Sequence, residues 1–232
     1  MGDFCLIYNV YMNTTKLHEK AETLREQDKL QDALKLYEEV LIKYQKKENY
    51  SGLVEALGGR CLTYKHLFLS SHDFSFAIIA KHDALSSLEI AEKFNLKDKL
   101  YRCYFRLGEM EILFKNYKKA IVYYQKSISL YPSDDAEKGD FIYHLGEAQC
   151  LKGESKKGLE NLSIGLTKIR QFRDSTDSFF INVWESGCLK TLFVFTKDMN
   201  YLDDAQKIID SDPRLIIRRR QISELKKMVL AV

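Results

Sequence analysis

Apolar and small residues recur three and four positions apart along most of the chain, the spacing of one helix face, in paired runs separated by short polar turns. The clearest pair lies between Tyr101 and Asp134. Tyr104, Leu107, Gly108 and Ile112 share a face of a first helix, Ala120, Tyr124 and Ile128 share a face of a second, and Pro132 stands just beyond. Gly108 and Ala120 remove bulk where two such helices touch, so their backbones can approach closely. The plan recurs downstream with Leu145, Gly146 and a turn at Gly153, then Gly158, Leu162 and Gly165. Upstream it appears as Leu17, Ala21 and Leu24, then Leu30, Ala33, Tyr37 and Val40. Between these, Leu57-Gly58 and Ala84, Leu88 and Ala91 form a copy stretched by roughly two turns per helix. Trp184, Gly187 and Leu189, then Leu202, Ala205 and Ile209 before Pro213, form the weakest copy.

The third copy, Tyr104-x2-Leu107-Gly108, Ala120-x3-Tyr124 and Pro132, resembles a tetratricopeptide (TPR) repeat, with Glu111 where that family usually has a second aromatic. The resemblance implies an all-α, right-handed α-α superhelix, a TPR-like solenoid of four to five hairpins. One hairpin cannot bury its own apolar face, so a single repeat predicts neighbours. The expected organisation is an apolar N-terminal segment at 1–13, a repeat array at 14–212 (14–48, 50–97, 98–134, 138–172 and 176–212) and a C-terminal capping helix at 213–232. As a quasi-periodic array the chain reads as one unit. In the capping helix Leu215, Ile216, Ile222, Leu225 and Val229 lie on one side, and Arg218, Arg219, Arg220, Lys226 and Lys227 on the other. Thr14 or Thr15 is expected to cap the first helix, and Asp32 to help start the second.

Composition changes this picture little. Of 232 residues 45% are apolar and two are proline, enough for a continuous core without a disordered segment. A net charge of +3 selects no polyanionic partner. Cys5, Cys61, Cys103, Cys150 and Cys188 are widely spaced and odd in number, which fits reduced thiols in a cytoplasm better than a disulfide framework or a zinc site. The run Phe4, Ile7, Tyr8 and Tyr11 is too short to span a bilayer. It offers apolar surface to the first hairpin or to a second copy of the chain, as a homo-oligomer, with a lipid anchor at Cys5 as the alternative.

Candidate chemistry is sparse. His66, His72, Asp73, His82 and Asp83 lack any helical metal-ligand spacing, and Ser71 or Asp73 reads as a helix cap. No phosphate loop, nucleophile elbow or catalytic constellation is present. The expectation is therefore a non-enzymatic scaffold without cofactor, metal or small-molecule substrate. First helices line the concave face in the family, which implies a partner groove at Arg102, Phe105, Arg106 and Glu109, and at Tyr143, His144 and Glu147 with Asp140. In the last copy the equivalent residues are Trp184, Glu185 and Cys188, with Trp184 read as core in preference. Arg102 and Arg106 resemble part of a carboxylate-binding clamp, or pair instead with Glu109 or neighbouring acids across the groove. Where the family's clamp has a Lys and an Asn this chain has His18 and Glu22, and Ala56 stands at the next Asn position. Aromatic anchors among charges of both signs suit a protein or peptide partner. A peptide-sensing regulator is the alternative, and an RNA-binding repeat using the basic last helix is the weaker one, since so few charges bind nucleic acid poorly at physiological salt.

Overall fold

The structure is a computed structural model that describes the backbone of residues 2–230 and the side chains of residues 14–228. The proposed contacts of the segment at 1–13, Cys5 included, fall outside the described side chains, as does Val229. The described residues form α-helices, one 3-10 turn at Arg173–Ser175, and no strand. They divide into two compact units, Met1–Phe114 and Lys115–Val232, where the sequence pattern suggested one, and the boundary falls within the third repeat.

Unit 1 holds α1 (Gly2–Glu26), α2 (Leu30–Lys46), α3 (Tyr50–Ser71), α4 (Phe74–Lys93) and α5 (Lys97–Leu113). Each packs on the next, and α3 also touches α5. Alanines allow the close approaches: Ala21 and Ala33 between α1 and α2, and Ala77, Ala80, Ala84 and Ala91 along α4, are all fully buried. The stretched second copy is the long hairpin of α3 and α4, with 22 and 20 residues against 17 in α5. Its turn is built from the residues that resemble ligands in sequence. His72 closes α3 in the left-handed region at φ 59°, and the Asp73 carboxylate caps α4 by accepting from Ser75 N. Thr14 and Thr15 stand inside α1 rather than at its start, and the Thr14 hydroxyl accepts from Lys47 Nζ at 3.2 Å.

Gly58 does not mark a close approach. A Cβ there would meet nothing within 4 Å, whereas one at the neighbouring Gly59 would collide with the Glu22 carboxylate and the Tyr37 hydroxyl. The position that needs a small residue is one step later than the sequence pattern placed it.

Unit 2 holds α6 (Tyr117–Leu130), α7 (Ala136–Leu151), α8 (Ser155–Gln171), α9 (Ser178–Thr196), α10 (Met199–Ser211) and α11 (Ile216–Leu230). Asp135 caps α7 by accepting from Glu137 N and Lys138 N. Two pairs of glycines clasp α7 to α8. A Cβ on Gly146 would sit 2.7 Å from Gly158 O, and one on Gly165 would sit 2.8 Å from Gly139 O. Leu162, Ile169, Ile181, Leu189, Leu202 and Ile209 form the fully buried centre, and Trp184 packs against it half-buried while stacking on Phe180.

The last helix covers that core, with one change from the expected face. Ile217 is buried beside Leu215 and Ile222, while Ile216 is 40% exposed. Its arginines are largely engaged within unit 2. Arg218 donates to Val183 O and Gln221, Arg219 donates to Ile209 O and pairs with Asp210, and Arg214, just ahead of the helix, forks onto Asp212.

Candidate functional site

The implied groove residues are placed unevenly. Arg102 is exposed and lies over the Tyr101 ring, whereas Phe105 is 4% exposed and belongs to the interior of unit 1. Glu109 is equally buried and takes two cations, Lys65 from α3 and Arg106 one turn back on α5. The Arg106 guanidinium is thus held by an acid of its own helix.

In unit 2, Tyr143 is 3% exposed, and its phenol is pushed well above the usual range by burial and by Asp140. His144 stacks on it and stands 3.3 Å from Glu147 and 3.8 Å from Asp140. Glu185 is buried under Arg170 and Arg173, and Cys188 is fully buried. Phe105, Glu109, Tyr143, Glu185 and Cys188 therefore serve packing and internal pairing, because side chains closed off from solvent offer a partner no contact area. Arg102, His144 and Glu147 remain at the surface or partly so.

Unit 1 does present a cleft, of about 390 Å³, between α1, the end of α2 and the start of α3. Its lining includes His18, Glu19, Glu22, Tyr44, Asn49, Ser51 and Glu55. Two of these, His18 and Glu22, are the residues that replace the family's clamp pair. The wall forms because Gly52 has no side chain. The Tyr44 ring lies where a Cβ on Gly52 would be, 2.7 Å from it, and Asn49 caps α3 by accepting from Gly52 N at 3.0 Å. Tyr44 in turn brings its hydroxyl to 3.4 Å from His18 Nδ1.

The carboxylates of the cleft differ in what they are already bound to. Glu22 receives the Tyr37 hydroxyl and pairs with Arg25 at 2.6 Å, and Glu55 pairs with Lys99. Glu19 makes no ion pair among the described residues. His18 Nε2 is enclosed without a hydrogen-bond partner, 3.6 Å from Glu22 Oε1, beyond hydrogen-bonding distance. No group of three or more His, Cys, Asp or Glu side chains among the described residues could hold a metal ion.

Burial alone would raise the Glu22 carboxyl, but Arg25, the neighbouring His18 imidazole and the hydrogen bond from Tyr37 overcome it and lower the group from 4.5 to about 2. A carboxyl depressed on folding stabilises the fold above its unfolded pKa and loses that contribution as pH falls through its folded one. Unit 1 is therefore expected to lose stability between pH 4.5 and about 2. Thermal unfolding followed by circular dichroism across that window checks this, with a shallower decline expected for Glu22→Gln. Equal slopes in the two proteins would remove Glu22 as the cause.

The sequence pattern marked Gly58 but not Gly52, and passed over Glu19, Tyr44, Asn49, Ser51 and Glu55. An Asn immediately ahead of a glycine-containing helix start was the readable signal for part of this wall.

The chain matches no family model, and no curated protein matches it. Solved structures do resemble it. BtubC (BKLC) from P. vanneervenii superposes with a TM-score of 0.59 at 16% identity, covering 89% of this chain and 85% of that one. A Rap protein, crystallised in complex with Competence and Sporulation Factor, superposes with a TM-score of 0.63 at 15% identity. That match covers 95% of this chain and spans 65% of the Rap chain. At such identities the likeness shows the fold, an all-α helical-repeat fold. No described helix is long and apolar enough to cross a membrane.

Proposed function

We propose that this chain is a non-enzymatic protein-interaction scaffold of TPR-like build, which holds a peptide or a partner helix against the first helices of its hairpins. The carrying observation is the cleft of about 390 Å³ in unit 1, a concave site whose polar groups stand on helices anchored by a buried core. Helix-borne side chains keep their positions, which favours selective recognition over adaptive contact.

Two further features support a binding role over catalysis. Burial raises the thiols of Cys61, Cys103, Cys150 and Cys188, so none has the thiolate character of a nucleophile. Buried acids are tied to cations, as in Glu109 with Lys65 and Asp83 with Arg60. Reduced thiols also agree with a cytoplasmic setting. The Rap protein's complex with Competence and Sporulation Factor lends support to the alternative, in which the chain senses a bound peptide. The RNA reading loses ground, because Arg218 and Arg219 are spent inside unit 2.

Selection of a random peptide display library on the immobilised full chain tests the reading. A consensus whose synthetic peptide binds at micromolar affinity is expected, corresponding to about 8 kcal/mol. Recovery of only unrelated, background peptides would refute it.

A further inference from the structure

Unit 2 is charged unevenly from one end to the other. α6 and α8 both run antiparallel to α7. The Tyr131 and Tyr124 rings of α6 lie 5.1 Å from Phe141 and 5.9 Å from His144, while Gly165 and Gly158 of α8 abut Gly139 and Cys150. The starts of α6 and α8 therefore flank the same, C-terminal end of α7. Each start carries two lysines directly ahead of a buried small residue, Lys118 and Lys119 before Ala120, and Lys156 and Lys157 before Gly158. All four are exposed, and none forms an ion pair among the described residues. α6 has no acidic residue in its 14 positions. Glu154 feels Lys157 at longer range but is held by Lys152 at 2.5 Å, and Glu160 pairs with neither lysine of α8. At the opposite end the cations of α7 and α8 are matched, since Lys138 and Lys168 reach Asp134 and Arg170 reaches Glu185. The backbone works against the lysine pairs, because the N-terminal end of a helix dipole favours anions. Fold stability alone would place acidic or neutral residues there.

We infer that this end of unit 2 docks an acidic segment of a partner protein, whose carboxylates meet Lys118, Lys119, Lys156 and Lys157. Charge complementarity selects the acid, and an exposed pair is weak singly, so the four act together. Val122, 56% exposed and one turn on from Lys118 and Lys119, gives the segment an apolar contact between its charges. That contact favours a protein over a nucleic acid, whose phosphate backbone has no use for it, and four lysines release too few counterions to hold RNA firmly at physiological salt. A lone valine also falls short of a membrane site, because interfacial binding draws on several large apolar side chains. The surface goes beyond the scaffold reading, which set the partner against first helices, since α6 and α8 are the second helices of their hairpins. Lying in unit 2, it stands or falls independently of the cleft in unit 1.

Fluorescence anisotropy on the full chain tests this with two labelled octapeptides, one repeating Glu-Glu-Leu and one repeating Gln-Gln-Leu. The Glu probe is expected to bind about tenfold more tightly than the Gln probe, and more weakly as salt rises. Lys118→Glu with Lys119→Glu, and separately Lys156→Glu with Lys157→Glu, are each expected to remove that preference. Lys16→Glu with Lys20→Glu makes the same charge change at exposed positions of α1, and is expected to leave affinity within about twofold. Because acids suit a helix start, the urea midpoints of the first two variants should not fall below that of the native chain, which separates lost binding from lost folding. Equal binding of the two probes to the native chain overturns the inference whatever the variants do. Equal losses in the α1 variant and the other two also overturn it. So does tighter binding of a labelled uridine octanucleotide, or of phosphatidylserine vesicles, than of the Glu probe, which would assign the lysines to RNA or to a lipid surface.

Discussion

Gly146→Ala is expected to destabilise unit 2 by about 2 kcal/mol, while Gly58→Ala, the same change of residue, is expected to stabilise unit 1 by about 0.5–1 kcal/mol. At Gly146 the added methyl would lie 2.7 Å from Gly158 O and 2.8 Å from Leu162 N. Those are backbone atoms of α8, so no side chain can turn aside and the hairpin itself must open. Overpacking of this kind costs about 3 kcal/mol, and the better helix propensity of alanine returns about 1. At Gly58 the methyl meets nothing within 4 Å, and only the propensity gain remains. The single tryptophan, Trp184, lies in unit 2, so its fluorescence in a urea titration reads the first variant, and far-UV circular dichroism reads the second. If Gly146→Ala leaves the fluorescence midpoint unmoved, the α7–α8 clasp is not what the glycines are for.

The larger effect is expected from Glu109→Leu, a loss of about 3–5 kcal/mol from unit 1. Glu109 is 4% exposed and is the common partner of Lys65 and Arg106. Removing it leaves two cations facing each other across the α3–α5 contact, both partly withdrawn from water. Burial already works against the charged form of Arg106, and Glu109 is the main group that offsets this. Adding Lys65→Met to Glu109→Leu should restore part of the loss, because it removes one of the stranded charges. Urea denaturation of the two single variants and the double variant measures the coupling. Additive losses would show that the pair does not act as a unit.

Much of the architecture could be read from spacing alone, because a helical hairpin writes its contact face as small residues at fixed intervals. Ala21, Ala33, Ala84, Ala120, Gly146, Gly158 and Ala205 are all buried where that spacing put them. The stretched copy was also legible as longer helices, although α3 and α4, at 22 and 20 residues, fall short of the two added turns that the spacing suggested. Gly58 misled because Gly59 follows it, and a pattern of period 3.6 does not choose between adjacent glycines. Ile216 misled for a similar reason, since Ile217 is equally apolar and only the docking of α11 on unit 2 decides which one turns inward. The candidate site was less legible. His18 and Glu22 were visible as departures from a family pattern, but the cleft depends on Tyr44 reaching over Gly52, a contact between helices that neither segment encodes alone. Burial of Phe105, Glu109 and Tyr143 was equally hidden, because side chains on a first helix can face either a groove or a neighbouring helix with the same periodicity.

The four buried cysteines have one more use. Cys61 and Cys103 stand on α3 and α5 in unit 1, and Cys150 and Cys188 on α7 and α9 in unit 2, none of them in a disulfide. A thiol reagent cannot reach them until the surrounding helices part, so the rate at which each reacts clocks the opening of its own neighbourhood. The native chain therefore carries a built-in set of stopwatches, and mass spectrometry after brief alkylation would time the two units separately without any engineered label.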